Sequence, residues 1–275
     1  MQRFMRFPNW KAKAVTLSYD DAVVFDERLI AVMQKYGLRG TFNVNGGQMD
    51  GTHYRRMDEA RAVNLYRNAN MEVAMHGFDH AFLHGSTGAD IIKEYYEDKV
   101  KLEETFGTVM RGGAYAYGVY NDEIVNVLKT LGVDYFRTTE STERFDIPTD
   151  WLRLKPTCKH TAKNLFALLD TFLTSAPDKH YNAKPLLFYL WGHSYEFEDD
   201  NNWEVIEKFG EKVAEYDDIW HATNAEIYDY VKAYESLIFS AKGDKIINPS
   251  ATDVYLFCDR KQVLVPAGKT VVLSN

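Results

Sequence analysis

Cysteines, long apolar runs and an excess of positive charge are what this sequence has little of. It holds two cysteines in 275 residues, Cys158 and Cys258, too few for a disulfide framework, and we expect both to be buried as small hydrophobic side chains. No apolar stretch reaches transmembrane length, and no signal-peptide pattern is seen near residue 1. The net charge of −8 argues against nucleic acid or an anionic membrane as a partner. We therefore expect a cytoplasmic protein without nucleic-acid or membrane partners, and a homo-oligomer is left open.

Short apolar runs alternate with helical patterns up to about residue 236, and the apolar content of 45% is enough for a sizeable core. Seven to eight such units indicate an α/β fold, a distorted or incomplete (β/α) barrel of about seven strands. After residue 236 the rhythm changes to short β-like runs separated by Asn, Pro and Gly. We predict a barrel domain over residues 1–236 and a small β-rich extension over residues 237–275. The predicted barrel strands are 15–19, 40–44, 71–75, 133–136, 152–154, 186–190 and 219–221.

Two adjacent aspartates end the first of these runs. Residues 14–19 are β-branched and aromatic, as in a buried strand, and Asp20 and Asp21 follow. Two neighbouring carboxylates repel each other unless a positive charge lies beside them. A divalent metal is the usual solution, with one carboxylate as ligand and the other free to act as a base. The alternative for such a pair is a turn or a helix cap.

Two histidines four residues apart follow another apolar run. His76 and His80 come after residues 71–75, and at this spacing they can face one ion from a helical turn or a tight loop. Both motifs follow strands, where parallel α/β folds place their active sites. One carboxylate and two imidazoles supply three ligands and leave a position for water, the ligand count of a hydrolytic zinc site. The sequence thus predicts a divalent metal site, with Zn²⁺ as the expected ion.

Two further segments follow in order. Residues 112–118 form a loop of small residues and tyrosines, and residues 185–192 form a strand that ends at His193. With these, the chain resembles the polysaccharide deacetylase family, also called the NodB-homology domain or carbohydrate esterase family 4. Ser-Tyr-Asp-Asp-Ala at 18–22 resembles Thr-Phe-Asp-Asp-Gly, and His-Gly-Phe-Asp-His at 76–80 resembles His-Ser/Thr-x-x-His. Ala-Tyr-Ala-Tyr-Gly at 114–118 is similar to Arg-x-Pro-Tyr-Gly, and Leu-Trp-Gly-His at 190–193 to Leu-x-His with one residue inserted.

The resemblance implies a NodB-like barrel and a metal-dependent hydrolase. The implied reaction removes the acetyl group from an N-acetylated amino sugar or oligosaccharide, or from another small amide. The resemblance implies that Asp20 is the base, that His193 is the acid, and that the metal ligands are Asp21, His76 and His80. It implies that the backbone N–H of Tyr117 is the oxyanion donor. The implied substrate-binding side chains are Trp191, Tyr115 and Arg111.

The sequence departs from the family pattern at three places. Ala22 stands where the family favours Gly, and Ala114 stands where many members carry the Arg that orients the base. Arg111 and Arg137 are nearby candidates for that task. The family's Asp-Trp motif, which tunes the acid histidine, is matched only by residues 150–151. These departures leave two alternatives open: a hydrolase of another non-peptide C–N bond, such as a cyclic ureide, imide or formamide, and a non-catalytic carbohydrate-binding relative.

The remaining histidines carry weaker expectations. His221 follows the last barrel strand and could reach the cleft. The other four are expected on the surface or in loops: His53, His84, His160 and His180.

Overall fold

The computed structural model describes residues 2–177 and 184–273. Fourteen strands lie in this part of the chain, and they form one large parallel sheet and two small antiparallel sheets. In chain order the strands are β1 (Arg3–Arg6), β2 (Lys13–Asp20), β3 (Gly40–Val44), β4 (Glu72–Met75), β5 (Gly112–Ala114), β6 (Tyr135–Arg137), β7 (Cys158–Lys159), β8 (Leu186–Gly192), β9 (Ile219–His221), β10 (Ile238–Phe239), β11 (Lys245–Ile247), β12 (Val254–Cys258), β13 (Lys261–Val265) and β14 (Thr270–Val272).

The parallel sheet has the strand order β6-β5-β4-β3-β2-β8-β7, and β9 pairs with the first residues of β2. All eight residues of β2 are buried, as is typical of a strand covered on both faces. The seven strands form a curled half-barrel, so the predicted distorted (β/α) barrel is confirmed. Because all strands of this sheet are parallel, their carboxyl ends lie along one edge.

Eight α-helices connect and cover these strands in the described ranges. Two of them begin at side-chain caps: the Thr87 hydroxyl accepts from Asp90 N, and the Asn121 side chain accepts from Ile124 N. The helices are α1 (Asp26–Lys35), α2 (Glu59–Asn68), α3 (Gly88–Phe106), α4 (Asp122–Thr130), α5 (Leu165–Thr174), α6 (Ser194–Asp199), α7 (Glu204–Ala214) and α8 (Asn224–Glu235).

One local prediction was wrong. Residues 152–154 are not a strand, because Trp151–Arg153 is a 3₁₀ helix and Leu154 makes an isolated parallel bridge to Arg137. The polar segment after His193 folds into α6, and the His193 backbone N–H donates to Glu196 Oε2 at 3.1 Å.

The C-terminal strands form two antiparallel sheets, β1-β12-β13 and β10-β11-β14. The predicted β-rich extension is confirmed in its secondary structure. Its first sheet includes β1 from the start of the barrel segment, in register from Arg3 opposite Cys258 to Arg6 opposite Tyr255. The division of the chain into 1–236 and 237–275 stays a prediction.

Both cysteines are free and buried, as expected. Among the described residues, no helix combines the length and the apolar character needed to cross a bilayer.

Candidate active site

The predicted site residues meet at the carboxyl edge of the parallel sheet. Asp20 is the last residue of β2, and His76 and His193 directly follow β4 and β8. Arg137 ends β6 on the same edge. Strand order therefore brings together residues that lie up to 173 positions apart in sequence, from Asp20 to His193.

Asp21, His76 and His80 form one possible metal site. Their candidate ligand atoms all lie within 4.8 Å of one another, and Nε2 of His76 and of His80 lie 3.7 and 3.6 Å from Asp21 Oδ1. Asp21 Oδ1 is buried and accepts no hydrogen bond from any described residue, although Arg56 Nη1 lies 3.0 Å away. A buried carboxylate oxygen without such a bond, facing two imidazole nitrogens, suits a zinc-like ion.

The backbone turns sharply between the two aspartates. Asp21 and Ala22 have φ angles of 89° and 50°, in the left-handed region that favours glycine. Asp21 N donates to Asn43 O at 2.9 Å, which fixes the turn against β3. The turn points the Asp20 and Asp21 side chains to different neighbours, since Asp20 contacts Arg137 and Asp21 contacts His80.

His76 is oriented by a backbone carbonyl. Its Nδ1 lies 2.8 Å from Ala114 O at the end of β5. Because a carbonyl oxygen only accepts, Nδ1 carries a hydrogen, and Nε2 is the nitrogen that faces the aspartates. Burial, followed by the charge of His76, lowers the pKa of His80 to about 4, so that its ring is neutral at neutral pH, the form that binds metals.

Two acidic side chains of α3 hold the loop that carries His76 and His80 through hydrogen bonds to its backbone. The buried Asp98 accepts from the N–H groups of Gly46, His76 and Gly77 at 2.8, 3.0 and 2.8 Å. One turn earlier, Glu94 accepts from the N–H groups of Asp79 and Ala81 at 3.1 and 2.9 Å. These bonds fix the backbone of the loop to α3 through charge-accepting side chains.

The position of Glu94 also requires a glycine at residue 77. Its φ is +83°, and a Cβ at this position would lie 2.6 Å from Glu94 Oε1. A larger residue would therefore be strained in its backbone and would push the Glu94 carboxylate away from the loop.

Asp20 is buried in a set of donors. Asn43 Nδ2 donates to its Oδ1 at 2.8 Å, and the guanidinium of the fully buried Arg137 donates to Oδ2. Burial raises the pKa of Asp20, but Arg137, His76 and His193 lower it by more, so the net pKa lies below the usual value. Asp20 is therefore ionised at neutral pH.

Arg137 reaches Asp20 from β6, whereas the family resemblance places the orienting arginine at position 114, on the neighbouring strand β5. Ala114, where many family members carry Arg, is the register partner of Arg137 in the β5–β6 pair. Register partners on adjacent parallel strands lie side by side, so the guanidinium enters the site one strand further along the sheet. Of the two candidate arginines, Arg137 is the one that contacts Asp20.

His193 is flanked by two carboxylates. Its Nε2 lies 3.8 Å from Asp20 Oδ2, and its Nδ1 lies 3.3 Å from Glu196 Oε2. Burial lowers the pKa of His193, but Glu196, Asp20 and Asp21 raise it by more, so the net pKa lies above the usual value. Lys159 Nζ binds the other Glu196 oxygen.

Several predicted residues lie elsewhere. Arg111 precedes β5, at the opposite edge of the sheet, where its guanidinium pairs with Asp134 at 2.7 Å and Asp229 at 2.6 Å. The side chain of Tyr115 is buried, and its hydroxyl donates to Leu152 O at 2.6 Å. The structure does not bring either residue to the site, because strand direction puts one at the wrong edge and packing turns the other inward.

Trp191 lies beside the site but is only 6% exposed. Its ring faces the Arg137 guanidinium, whose carbon is 4.4 Å from the ring centroid, and its centroid lies 6.0 Å from that of His193. Tyr117 lies at the rim, with its ring centroid 4.4 Å from that of His80 and a φ of 56°.

The predicted Asp-Trp match does not reach the acid histidine. Asp150 pairs with Arg153 at 3.1 Å, and Trp151 packs edge-on against Tyr228. Glu196 occupies the place next to His193 instead.

The other histidines are dispersed. His221 contacts Gly37 O at 2.7 Å and does not enter the site, His53 and His84 are exposed, and His180 lies outside the described residues. His160 lies in the turn after β7 but is buried: it is 3% exposed, stacks on Phe197 and has Nε2 3.3 Å from Glu196 Oε2. A Cβ on Gly192 would lie 2.0 Å from His160 Nδ1, so the ring fits only against glycine.

The polysaccharide deacetylase family model matches residues 8–136, the part that carries the first three motifs. The family resemblance predicted from the motifs is therefore confirmed. No curated protein matches the chain.

Solved structures share the fold at low sequence identity. A Mycobacterium smegmatis protein assigned as a polysaccharide deacetylase is 18% identical, with 83% of this chain and 93% of that chain covered and a TM-score of 0.61. A family 4 acetyl xylan esterase from Clostridium thermocellum, in complex with a cobalt ion, is 16% identical (78% and 90% covered, TM-score 0.54). A CE4 family pseudoenzyme from Bacillus anthracis is also 16% identical (82% and 68% covered, TM-score 0.50).

Proposed function

We propose that this chain is a metal-dependent hydrolase that removes the acetyl group from an N-acetylated amino sugar. The observation that carries the proposal is the cluster of Asp21, His76 and His80 with two further groups next to it. Asp20 Oδ2 lies 4.0 Å from His76 Nε2 and 3.8 Å from His193 Nε2. Together these residues offer a ligand set, an ionised carboxylate and a histidine with a raised pKa, the three parts that amide hydrolysis needs.

Asp21, His76 and His80 would hold the ion, for which Zn²⁺ is the best match to two imidazole nitrogens and one carboxylate oxygen. When bound, such an ion polarises a carbonyl group and lowers the pKa of water. The Ala114 carbonyl orients His76 for this role, because it accepts from Nδ1 and leaves Nε2 as the ligand nitrogen.

Asp20 is the proposed base. It takes a proton from the water that attacks the acetamide carbon, while Arg137 and Asn43 keep its carboxylate in place. The lowered pKa keeps Asp20 ionised but makes it a weaker base. The argument for a non-catalytic relative was the missing Arg at 114, and the contact between Arg137 and Asp20 weakens that argument.

His193 is the proposed acid. Amide hydrolysis breaks the bond between the acetyl carbon and the sugar nitrogen, and an unprotonated amine is a very poor leaving group. His193 donates the proton to that nitrogen, and Glu196 keeps the imidazole protonated up to a higher pH. The products are acetate and the free amino sugar.

The Tyr117 backbone N–H is the proposed donor to the carbonyl oxygen as negative charge develops there. Its left-handed φ of 56° turns the peptide at the rim beside His80. Removing one such donor typically costs about 10²–10³-fold in kcat.

Acetate release from a panel of N-acetylated sugars tests the proposal. The wild-type chain with Zn²⁺ should release acetate, chelation should abolish the activity, and added Zn²⁺ or Co²⁺ should restore it. Asp21→Ala should lower metal content measured by elemental analysis, and Glu104→Gln, a change on the exposed face of α3, should leave it unchanged.

Three results contradict the proposal in different ways. Full activity after metal removal rules out the metal role. Turnover of a cyclic ureide, imide or formamide without acetate release indicates the other C–N hydrolase. Metal binding with no turnover of any amide indicates a non-catalytic carbohydrate-binding protein.

A further inference from the structure

His160 is a buried histidine that the proposed mechanism does not use. It directly follows β7, and its ring stacks on those of Phe197 and Tyr19, with centroids 4.0 and 5.7 Å away. Among the described residues, no partner forms an aligned hydrogen bond with either nitrogen of this ring. A leucine or a phenylalanine would fill such a site without burying polar atoms, so packing alone does not account for an imidazole here.

One charged group lies within reach of this ring. Nε2 of His160 lies 3.3 Å from Glu196 Oε2. The same oxygen accepts from the His193 backbone N–H at 3.1 Å and lies 3.3 Å from His193 Nδ1. A single carboxylate oxygen is therefore shared by two imidazoles, that of the proposed acid and that of His160.

The end of β7 supplies a support for each oxygen of Glu196. Lys159 Nζ donates to Oε1, and His160 Nε2 faces Oε2. The two supports differ in charge, because Lys159 carries an ammonium group, whereas burial lowers the pKa of His160 to about 3 and leaves its ring neutral at neutral pH. A neutral N–H dipole can hold the carboxylate without offsetting the negative charge that favours a protonated His193, and the absence of water around it strengthens the contact.

Both ends of this contact are fixed by the backbone. His160 N donates to Trp191 O at 2.9 Å, which ties the residue to β8. Glu196 lies in the first turn of α6, which begins directly after His193. The ring of His160 also needs the glycine at residue 192, because a Cβ there would lie 2.0 Å from Nδ1. The fold therefore sets the distance between the His160 ring and the Glu196 carboxylate.

We propose that His160 is a positioning residue for the acid: its Nε2–H dipole keeps the Glu196 carboxylate against the imidazole of His193. This inference rests on the proposed function, in which His193 is the acid, and it adds a residue that acts only through Glu196. Without this dipole, the donors left to Glu196 are Lys159 and the His193 backbone. The carboxylate then turns towards the ammonium group, and the protonated form of His193 loses stabilisation.

The proton affinity of His193 reports the position of Glu196. The ionisable groups around its ring are Asp20 and Asp21, Tyr195 and Glu196 of α6, and the cations Arg137 and Lys159, which bind Asp20 and Glu196. Of these, Glu196 is the one whose carboxylate His160 contacts. A change at His160 should therefore move the pKa of His193 through Glu196.

An NMR pH titration measures this effect apart from turnover. The probe is the Zn²⁺-loaded protein with ¹³C-labelled histidine, and His193→Gln identifies the resonance of His193. His160→Leu should lower the proton affinity of His193 about three- to tenfold, which is less than the effect of Glu196→Gln. In the Glu196→Gln background the same change should have no further effect, since the carboxylate is gone.

Three variants separate positioning from packing. His160→Gln places an amide N–H where Nε2 was and should retain the proton affinity of wild type. His160→Asn retains an amide that is too short to reach Glu196, and it should behave as His160→Leu does. His221→Leu removes another partly buried imidazole, one that lies 2.7 Å from Gly37 O, and it should leave His193 unchanged.

The outcomes distinguish this inference from the proposed function. A lowered proton affinity of His193 in His160→Leu that is restored in His160→Gln, without acetate release from any sugar, retains the positioning role and removes the deacetylase. Acetate release with an unchanged or raised proton affinity in His160→Leu removes the inference alone, as does an equal change in the Glu196→Gln background. Loss of the fold in both His160→Leu and His160→Asn, measured by circular dichroism, also overturns it, because a structural role then accounts for the residue.

Discussion

The two halves of the candidate site are fixed in different ways. The His76–His80 loop is held by Asp98 and Glu94, which accept from backbone N–H groups. His193 is held by Glu196, which also contacts its side chain. Hydrogen bonds to the backbone of a loop fix the position of its histidines, which is what metal ligands need. A carboxylate beside an imidazole also favours the protonated ring, which is what a proton donor needs.

Asp20 connects the two halves, since its Oδ2 lies 4.0 Å from His76 Nε2 and 3.8 Å from His193 Nε2. Asp20→Asn should therefore give the largest effect. A carboxamide cannot accept the proton of water, so we expect kcat to fall about 10²–10⁴-fold. Metal content, measured by elemental analysis, should remain near that of wild type.

Asp21→Ala provides the contrast to Asp20→Asn. It should lower metal affinity, and excess metal should partly restore its activity. The reverse pattern, with the metal lost in Asp20→Asn and retained in Asp21→Ala, would exchange the two roles. Near-normal rates in both variants would remove the deacetylase proposal.

The second prediction breaks the half that is fixed through the backbone. Asp98→Asn replaces an acceptor oxygen with an amide that faces the N–H groups of Gly46, His76 or Gly77. We expect Zn²⁺ affinity to fall about 10–100-fold, the usual effect of losing a residue that supports metal ligands. A competition titration with a chromogenic chelator measures it.

A control on the same helix accompanies Asp98→Asn. Glu104→Gln changes an exposed carboxylate of α3 and should leave the affinity unchanged. Equal affinity in Asp98→Asn and wild type, with both folded by circular dichroism, would mean that the loop positions its histidines without this clamp.

The third prediction acts on the half that is fixed through charge. Glu196 raises the pKa of His193, and a general acid is active while protonated, so the rate falls as pH rises through that pKa. In Glu196→Gln the pKa of His193 falls, and the basic limb of the kcat/KM profile should move to lower pH. We expect a loss of up to about tenfold at pH 8, with metal affinity unchanged. A basic limb that stays in place would assign that limb to another group.

The smallest effect is expected for a change at Ala22, in the backbone turn that follows Asp20. Ala22 has a φ of 50°, which costs a residue with a Cβ about 1–2 kcal/mol. Ala22→Gly relieves this strain but adds about 0.4–1 kcal/mol of chain entropy to the unfolded state. The free energy of unfolding, from urea titration, should change by less than about 1 kcal/mol.

Ala74→Gly in β4 is the matched control for Ala22→Gly, because Ala74 is equally buried but lies in an extended strand. It should be the more destabilising of the two changes. Equal destabilisation would show that the left-handed turn stores little strain.

The sequence was sufficient for the parts of the site that are local. Asp20, Asp21, His76 and His80 could be predicted because each pair directly follows an apolar run. Arg137 could be chosen over Arg111 only once the β5–β6 register placed Arg137 beside Ala114. Register depends on pairing between strands that are distant in sequence, so spacing alone does not reveal it.

The supporting carboxylates were missed for a related reason. Asp98 and Glu94 lie in a long charged helix, and charged residues four apart are usually on a solvated face. Glu196 had a readable signal, since it lies three residues after His193, the spacing of a capping box. Tyr115 is buried whereas Tyr117 is exposed and has a left-handed φ of 56°, a difference that the sequence does not mark.

The pairing of β1 with β12 has a consequence for the order of folding. These strands, together with the bond from Gln2 N to Asp259 Oδ1 at 2.8 Å, join positions about 250 residues apart. On the ribosome β1 emerges early, and its partner is synthesised only after the whole parallel sheet. This sheet is therefore expected to form only after the barrel, once the large entropy cost of closing so long a loop has been offset by barrel contacts. Until then β1 is an open strand edge, a place where two nascent chains could pair with each other.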